Sequence, residues 1–149
     1  MRNHNRALVA YCGLYCGDCV VRKGEIADLS KSLLARLRKA QFQRVGPGLA
    51  TLFKEFRALE NTAQCCGCLH ALSALRCGKT CREGGGSPRC AIRTCCREKG
   101  LEGCWDCDAF EQCPKLAYLE PVNGDAVLRN IGKIRKAGMA AFLRGRKYW

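Results

Sequence analysis

The stretch from Val20 to Gln64 carries no cysteine, and within it Ile26, Leu29, Leu33, Leu37 and Ala40 recur at spacings of three and four. That is the period of an amphipathic helix, with Lys31, Arg36, Arg38 and Lys39 off the stripe and facing solvent. Gly46-Pro47-Gly48 is expected to stop this helix. A second is expected after it, with Leu49, Leu52, Phe53, Phe56 and Leu59 on one face, so that 20–64 reads as a helical hairpin. Downstream, Gly84 to Pro88 is a tight loop. Ile92 to Lys99 is a short helix closed by Gly100, since glycine suits the left-handed position after a last turn. Pro114 opens another short helix through Leu119. The closing helix is expected to start at Asp125 as its N-cap, with Val127, Ile131 and Ile134 as its apolar stripe and Gly138 ending or weakening it. No run alternates with period two, so the pattern predicts a mainly α chain.

Composition adds a constraint that periodicity does not. Leu, Ile, Val and Phe together make up roughly a fifth of the 149 residues, close to the level at which chains stay disordered. Fourteen cysteines offset this shortage of apolar side chains. A chain so composed needs staples as well as a core. The N-terminal MRNHNRALVAYC lacks the apolar run of an export signal, and the longest uncharged stretch, Ala7 to Gly17, falls far short of a membrane span. The expectation is therefore a cytoplasmic protein, away from any membrane, in a reducing compartment where clustered cysteines bind metal rather than pair. The fold class expected is a small, irregular, cysteine-rich and metal-stabilised α domain with a helical hairpin and a C-terminal helix. It reads as a single domain over 1–149: a first cysteine knuckle in 1–19, the hairpin in 20–64, a cysteine-rich core in 65–116, and a basic helix and tail in 120–149.

The spacing of the cysteines carries the candidate chemistry. Cys12, Cys16 and Cys19 form C-x3-C-x2-C with glycines in the loop, and Cys104, Cys107 and Cys113 form C-x2-C-x5-C. Three thiolates so close must converge on one centre, and glycine lets the backbone curl around it. Each triplet needs a fourth ligand, for which Cys65 with Cys68, and Cys90 with Cys95, are the candidates. A triplet with a remote cysteine is common for [4Fe–4S] clusters, whereas structural zinc more often takes two C-x2-C pairs. Both metals accept four thiolates. Cys77 and Cys81 are possible ligands of a third centre, and Cys66 and Cys96, each adjacent to another cysteine, read as small buried apolar residues. The C-x3-C-x2-C spacing also marks radical-SAM enzymes, but their partial barrel of alternating strands and helices does not fit a helical 20–64. His70, two residues after Cys68, reads as a surface or packing histidine, and His4 has no assigned role.

The ordered blocks AYCGLYCGDC, the C-x-G-C of Cys65 to Cys68, CAIRTCCREKG and CWDCDAFEQCPKL together resemble the DUF3795 family of small cysteine-rich proteins. The tail LRNIGKIRKAGMAAFL is similar to that family's closing helix. The resemblance implies a metal-binding protein, assumed to hold zinc, without an established activity. On the family pattern Cys12, Cys16, Cys19, Cys65, Cys68, Cys90, Cys95, Cys104, Cys107 and Cys113 are the core set, and Cys66, Cys77, Cys81 and Cys96 are additions.

Charge narrows the partners. The formal net charge is +13, which falls to about +7 once ligand thiolates and divalent centres are counted. The basic cluster is the tail, with Lys133, Arg135, Lys136, Arg144, Arg146 and Lys147. It supports weak, nonspecific binding of nucleic acid or other anions, and otherwise reads as a solvated helix face with a frayed aromatic end at Tyr148 and Trp149. Two histidines and no nucleophile–base spacing leave acid–base catalysis few candidates, and no catalysis is expected. Asp18, Asp106 and Asp108 read as loop carboxylates, and Trp105 as a shield beside Cys104. The function expected is a cytoplasmic metal-binding protein with two or three all-cysteine centres of structural zinc, of unknown biochemical role, with another protein as the candidate partner. The alternative is a [4Fe–4S] electron carrier or redox partner.

Overall fold

The computed structural model describes the backbone of residues 2–149 and the side chains from Asn5 onward, so His4 lies outside the described side chains. The protein is mainly α. Among the described residues there is no β-strand, only an isolated antiparallel bridge between Val9 and Tyr15. No described helix is long and apolar enough to cross a membrane. The chain divides into two compact units, one of residues up to Arg22 together with Cys77–Trp149, the other Lys23–Arg76.

The first unit holds α1 (Arg2–Ala7), α2 (Val20–Lys23) at its edge, and, beyond the second unit, the short helices that frame the later cysteines. Its core is built from Val9, Ile92, Leu116, Val127, Ile131, Ile134 and Phe142, with Cys12, Cys96, Cys104, Trp105 and Phe110 among them. Val9, Ile131 and Phe142 are fully buried, each worth about 1.5–3 kcal/mol relative to exposure. The cysteines are thus part of the core, which is how a chain short of aliphatic side chains closes one.

The last helix of this unit, Ala126–Arg144, carries the expected stripe, with Val127, Ile131 and Ile134 all buried. Gly138 has φ 79° and ψ 162°, so the helix breaks there and a final turn resumes that buries Phe142. Asp125 makes no capping bond through its side chain, which instead pairs with Arg129 at 3.5 Å. The aromatic end is not frayed. The buried Asn130 amide donates to the Tyr148 carbonyl at 2.9 Å and accepts from the Tyr148 N–H at 3.0 Å, while the Arg129 guanidinium lies 3.8 Å from the Tyr148 ring centre. A buried amide must be satisfied, and here the tail supplies both partners.

The second unit contains a long helix at Glu25–Lys39, a second at Phe42–Leu52, a 3₁₀ stretch at Lys54–Asn61 and a third helix at Thr62–Ala74. Numbered in chain order with α1 and α2, the three helices are α3, α4 and α5. The antiparallel partner of α3 is α5, not α4. The turn comes at Ala40–Gln41, where Gln41 takes φ 50°, and α4 runs straight through Gly46-Pro47-Gly48 rather than starting after it. Pro47 forgoes one helical bond. Gly46 is buried against α5, and a side chain there would meet the Thr62 hydroxyl at 2.5 Å. Tertiary fit overrides the local breaker.

The seam of α3 is displaced by one residue from the predicted stripe. Ala27 and Ser30 are buried and Leu34 and Leu37 half-buried, whereas Ile26, Leu29 and Leu33 are exposed, Leu29 by 71%. On α5 the buried residues are Thr62 and Cys66, with Leu69 and Ser73 half-buried. Small side chains occupy the fully buried positions of both helices, and the larger residues of α3 lie on the flank. Of the apolar residues expected to line the second helix, only Leu49 and Leu59 are half-buried. Phe53 leaves helical geometry, and Leu52, Phe53 and Phe56 are exposed, the two rings meeting edge to face at 6.0 Å. Arg76 ties the end of this unit to its start, reaching the Gly24 carbonyl and the Asp28 carboxylate.

Candidate metal centre

The first knuckle is wound by three short backbone bonds: Ala10 N–H to the Leu14 carbonyl at 2.8 Å, Gly13 N–H to Ala10 at 2.9 Å, and Cys16 N–H to Leu8 at 2.7 Å. Gly13 makes the reversal possible. Its φ is 83°, and a side chain there would come within 3.2 Å of Ile131, so glycine is required for both reasons. The loop buries Cys12 and leaves Cys16 and Cys19 half-buried.

Against this knuckle lies the loop from Cys77 to Cys90, which the Cys77 N–H joins to the Val21 carbonyl at 3.1 Å. One buried side chain holds the loop in shape. The Arg93 guanidinium, 6% exposed, donates to four carbonyls: Cys81 at 3.2 Å, Gly85 at 3.0 Å, Ser87 at 2.8 Å and Pro88 at 3.1 Å. The helix that carries it, Ala91–Glu98, is α6 and buries Ile92, Arg93 and Cys96 together. Arg82 acts similarly, donating to the Val9 and Glu102 carbonyls while stacking 4.7 Å above the Tyr11 ring. Sequence reasoning missed both arginines. The available signal was that Arg93 sits between Ile92 and Cys96, on the face of α6 that must be buried.

The loops bring the thiols into two neighbouring groups. The Cys16 thiol is pushed up by burial and by the nearby thiols of Cys81, Cys19 and Cys77, while an N–H from the Cys81 backbone to its sulfur pulls the other way. The Gly86 N–H donates to the Cys77 sulfur at 3.2 Å. Cys12 is pushed up to about 12, first by burial and then by Cys81 and Cys90, against a backbone bond from Leu14. Cys90 in turn lies 3.7 Å from the Tyr118 hydroxyl. Cys81 and Cys90 therefore lie near Cys12, and Cys81, Cys19 and Cys77 near Cys16, so that two of the four cysteines the resemblance leaves as additions join this group.

The second group borders a cavity of about 20 Å³, where Cys95, Cys96, Cys104, Cys107 and Cys113 meet apolar side chains and Lys115. The Cys96 and Cys104 sulfurs stand 3.8 Å apart. Their hydrogen bond pulls Cys96 down and pushes Cys104 up; burial raises Cys104 further, and the cations of Arg82 and Lys99 favour a Cys96 thiolate. Lys115 is raised by its bond to Cys95, with the Cys113 thiol adding to it. The short helix Pro114–Ala117, α7, starts directly at Cys113, with proline in the first position. From the closing helix Arg135 donates to the Cys107 carbonyl at 2.8 Å and pairs with Asp108 at 2.9 Å. Asp106 accepts the Glu102 N–H at 3.0 Å, so two of the three loop carboxylates hold this knuckle, while Asp18 is exposed. Trp105 is buried, its ring lying over Gly103 and 5.8 Å from Arg82.

Cys90 and Cys95 thus serve different groups, and Cys96, expected as a spare, stands against Cys104. Cys66 is buried in the α3–α5 seam. Cys65 and Cys68 lie on the exposed side of α5, and the second unit holds no cysteine other than these three. All fourteen cysteines are free thiols. Among the described residues no three Cys, His, Asp or Glu side chains already converge to metal-binding distances. In the tail, Lys133 and Lys147 donate to main-chain carbonyls and Arg135 is taken by the second knuckle, which leaves fewer free cations than the sequence counts.

No curated protein and no solved structure matches the chain. The family described as "Protein of unknown function (DUF3795)" matches residues 8–118, a span that takes in both knuckles and all fourteen cysteines, and the chain belongs to that family.

Proposed function

We propose that the protein holds two all-cysteine zinc centres that staple its first unit, one on Cys16, Cys19, Cys77 and Cys81, the other drawn from Cys95, Cys96, Cys104, Cys107 and Cys113. The observation that carries this is the 3.8 Å between the Cys96 and Cys104 sulfurs at a cavity of about 20 Å³. Zn–S bonds of about 2.3 Å at the tetrahedral angle place neighbouring sulfurs about 3.8 Å apart. A four-iron, four-sulfide cube binds each thiolate to a different iron and spreads the sulfurs wider. The first group supports the same metal, because Cys16-x2-Cys19 with Cys77-x3-Cys81 makes two short-spaced pairs rather than a triplet with a remote fourth. Backbone N–H groups donate to the sulfurs of Cys16 and Cys77, contacts of the kind that orient metal-bound sulfur. Cys12 and Cys90 lie buried or half-buried beside this centre as its packing.

Fourteen free thiols fit a reducing compartment, and the role of the centres is to fix a fold that presents surface to a partner. The cations left on the tail support weak, salt-sensitive anion binding. Replacement of the native metal by cobalt tests the coordination. Two equivalents with the spectrum of tetrahedral thiolate sites are expected in the wild type, and one in Cys16→Ser and in Cys107→Ser. Octahedral cobalt, or uptake unaffected by either substitution, would refute the assignment.

A further inference from the structure

The second unit contains a cavity of about 370 Å³ at the α3–α4 turn, within the range of small-molecule sites. Leu34, Leu37 and Phe42 supply an apolar wall, and Arg38, Arg44 and His70 line the same space. No acidic residue borders it. Among the described residues neither guanidinium forms an ion pair, and the Asp28 carboxylate of this unit is taken by Arg76. Arg44 makes one long bond, 3.4 Å, to the Gln41 side chain. Two arginines placed on one cavity without a counter-ion repel each other, an arrangement that binding of an anion relieves.

Gln41 adds an independent sign. Among the described residues it is the one non-glycine with positive φ, 50°, and it forms the turn that separates Arg38 from Arg44 and borders the cavity itself. A glutamine held in the left-handed region costs free energy, and such strain clusters at binding sites. A glycine or asparagine would make the same turn more cheaply, but would not supply the side chain that holds Arg44.

We infer that this cavity binds a small amphipathic anion, a carboxylate head gripped by Arg38 and Arg44 with an apolar chain or ring laid against Leu34, Leu37 and Phe42. The planar fork of arginine matches a carboxylate in two bonds, and Leu34, Leu37 and Phe42 offer apolar surface to the rest of the ligand. The inference stands independently of the cysteine centres, since every lining residue belongs to the Lys23–Arg76 unit.

The test titrates full-length, metal-loaded protein with decanoate and, separately, with 1-decanol, followed by amide chemical shifts. Decanoate is expected to shift the amides of residues 34–44 and 66–70. It should bind at least tenfold more tightly than the alcohol, and Arg38→Gln with Arg44→Gln together should weaken it tenfold or more. Both arginines are exposed, so the double variant should keep its fold, and the comparison with the alcohol needs no variant. Equal binding of acid and alcohol, shifts lying outside these segments, or no shift at millimolar decanoate would overturn the inference.

Discussion

Replacing Arg93 by lysine keeps a positive charge but removes the fork that holds the Cys77–Cys90 loop. The guanidinium serves four carbonyls from Cys81, Gly85, Ser87 and Pro88. A lysine ammonium, a point on a flexible stem, reaches two of them at best. Hydrogen bonds from a charged donor are worth about 1.5–3 kcal/mol each, so losing two removes about 3–6 kcal/mol. Ser87 and Pro88 are exposed, and water can recover part of that for their carbonyls, which leaves a net cost of about 2–4 kcal/mol. At about 2–4 °C per kcal/mol for a chain of this size, the metal-loaded protein should melt roughly 5–15 °C lower. Cys81 lies in this loop, so the centre that uses it should also release its metal to a chelator sooner than the other. Thermal melts by circular dichroism, paired with chelator competition, read both effects. An Arg93→Lys protein within 1 kcal/mol of wild type, with unchanged metal release, would refute the role given to this clamp.

Substitution of Cys65 and Cys68 together by serine should leave metal content unchanged, whereas Cys16→Ser or Cys107→Ser should lower it by one equivalent; elemental analysis decides. A loss of metal in the double variant would restore those two residues as ligands. In the second unit, Leu29→Ser should shift stability by less than about 0.5 kcal/mol, while Ala27→Leu should cost about 1–3 kcal/mol by overpacking the α3–α5 seam. The reverse order in denaturant melts would mean that the seam follows Ile26, Leu29 and Leu33 after all. Chelation under reducing conditions should abolish the cooperative transition of the first unit, because metal-binding energy is folding energy there. Acidification should do the same, since protons compete for the thiolates. A sharp transition surviving in metal-free protein would show that the core suffices without its staples.

Short-range rules made the closing helix legible: Val127, Ile131 and Ile134 lie on one face, and all three are buried. Gly100 with φ 64° after α6, and Pro114 opening α7, follow from local backbone preferences in the same way. What depends on partners elsewhere in the chain was hidden. The choice between Ile26 and Ala27 as the buried position of α3 rests on its packing against α5, an element distant in the chain. Gly46-Pro47-Gly48 looks like a stop because nothing local reveals that Gly46 packs on Thr62. The cysteine groups split similarly. Spacing groups Cys12, Cys16 and Cys19, but it is the backbone route through Val21 and the Arg93 clamp that place the loop of Cys77 and Cys81 beside this knuckle. Adjacency to Cys95 marks Cys96 as a spare in the sequence, yet α6 turns its side chain toward Cys104.

The most direct test of the two zinc centres is the metal and acid-labile sulfide content of the protein purified without oxygen, with its visible absorption spectrum. Two zinc ions per chain, no sulfide and no colour are the predicted result. Iron with near-equal sulfide and a broad band near ~400 nm would contradict it and make the cysteine groups redox clusters instead.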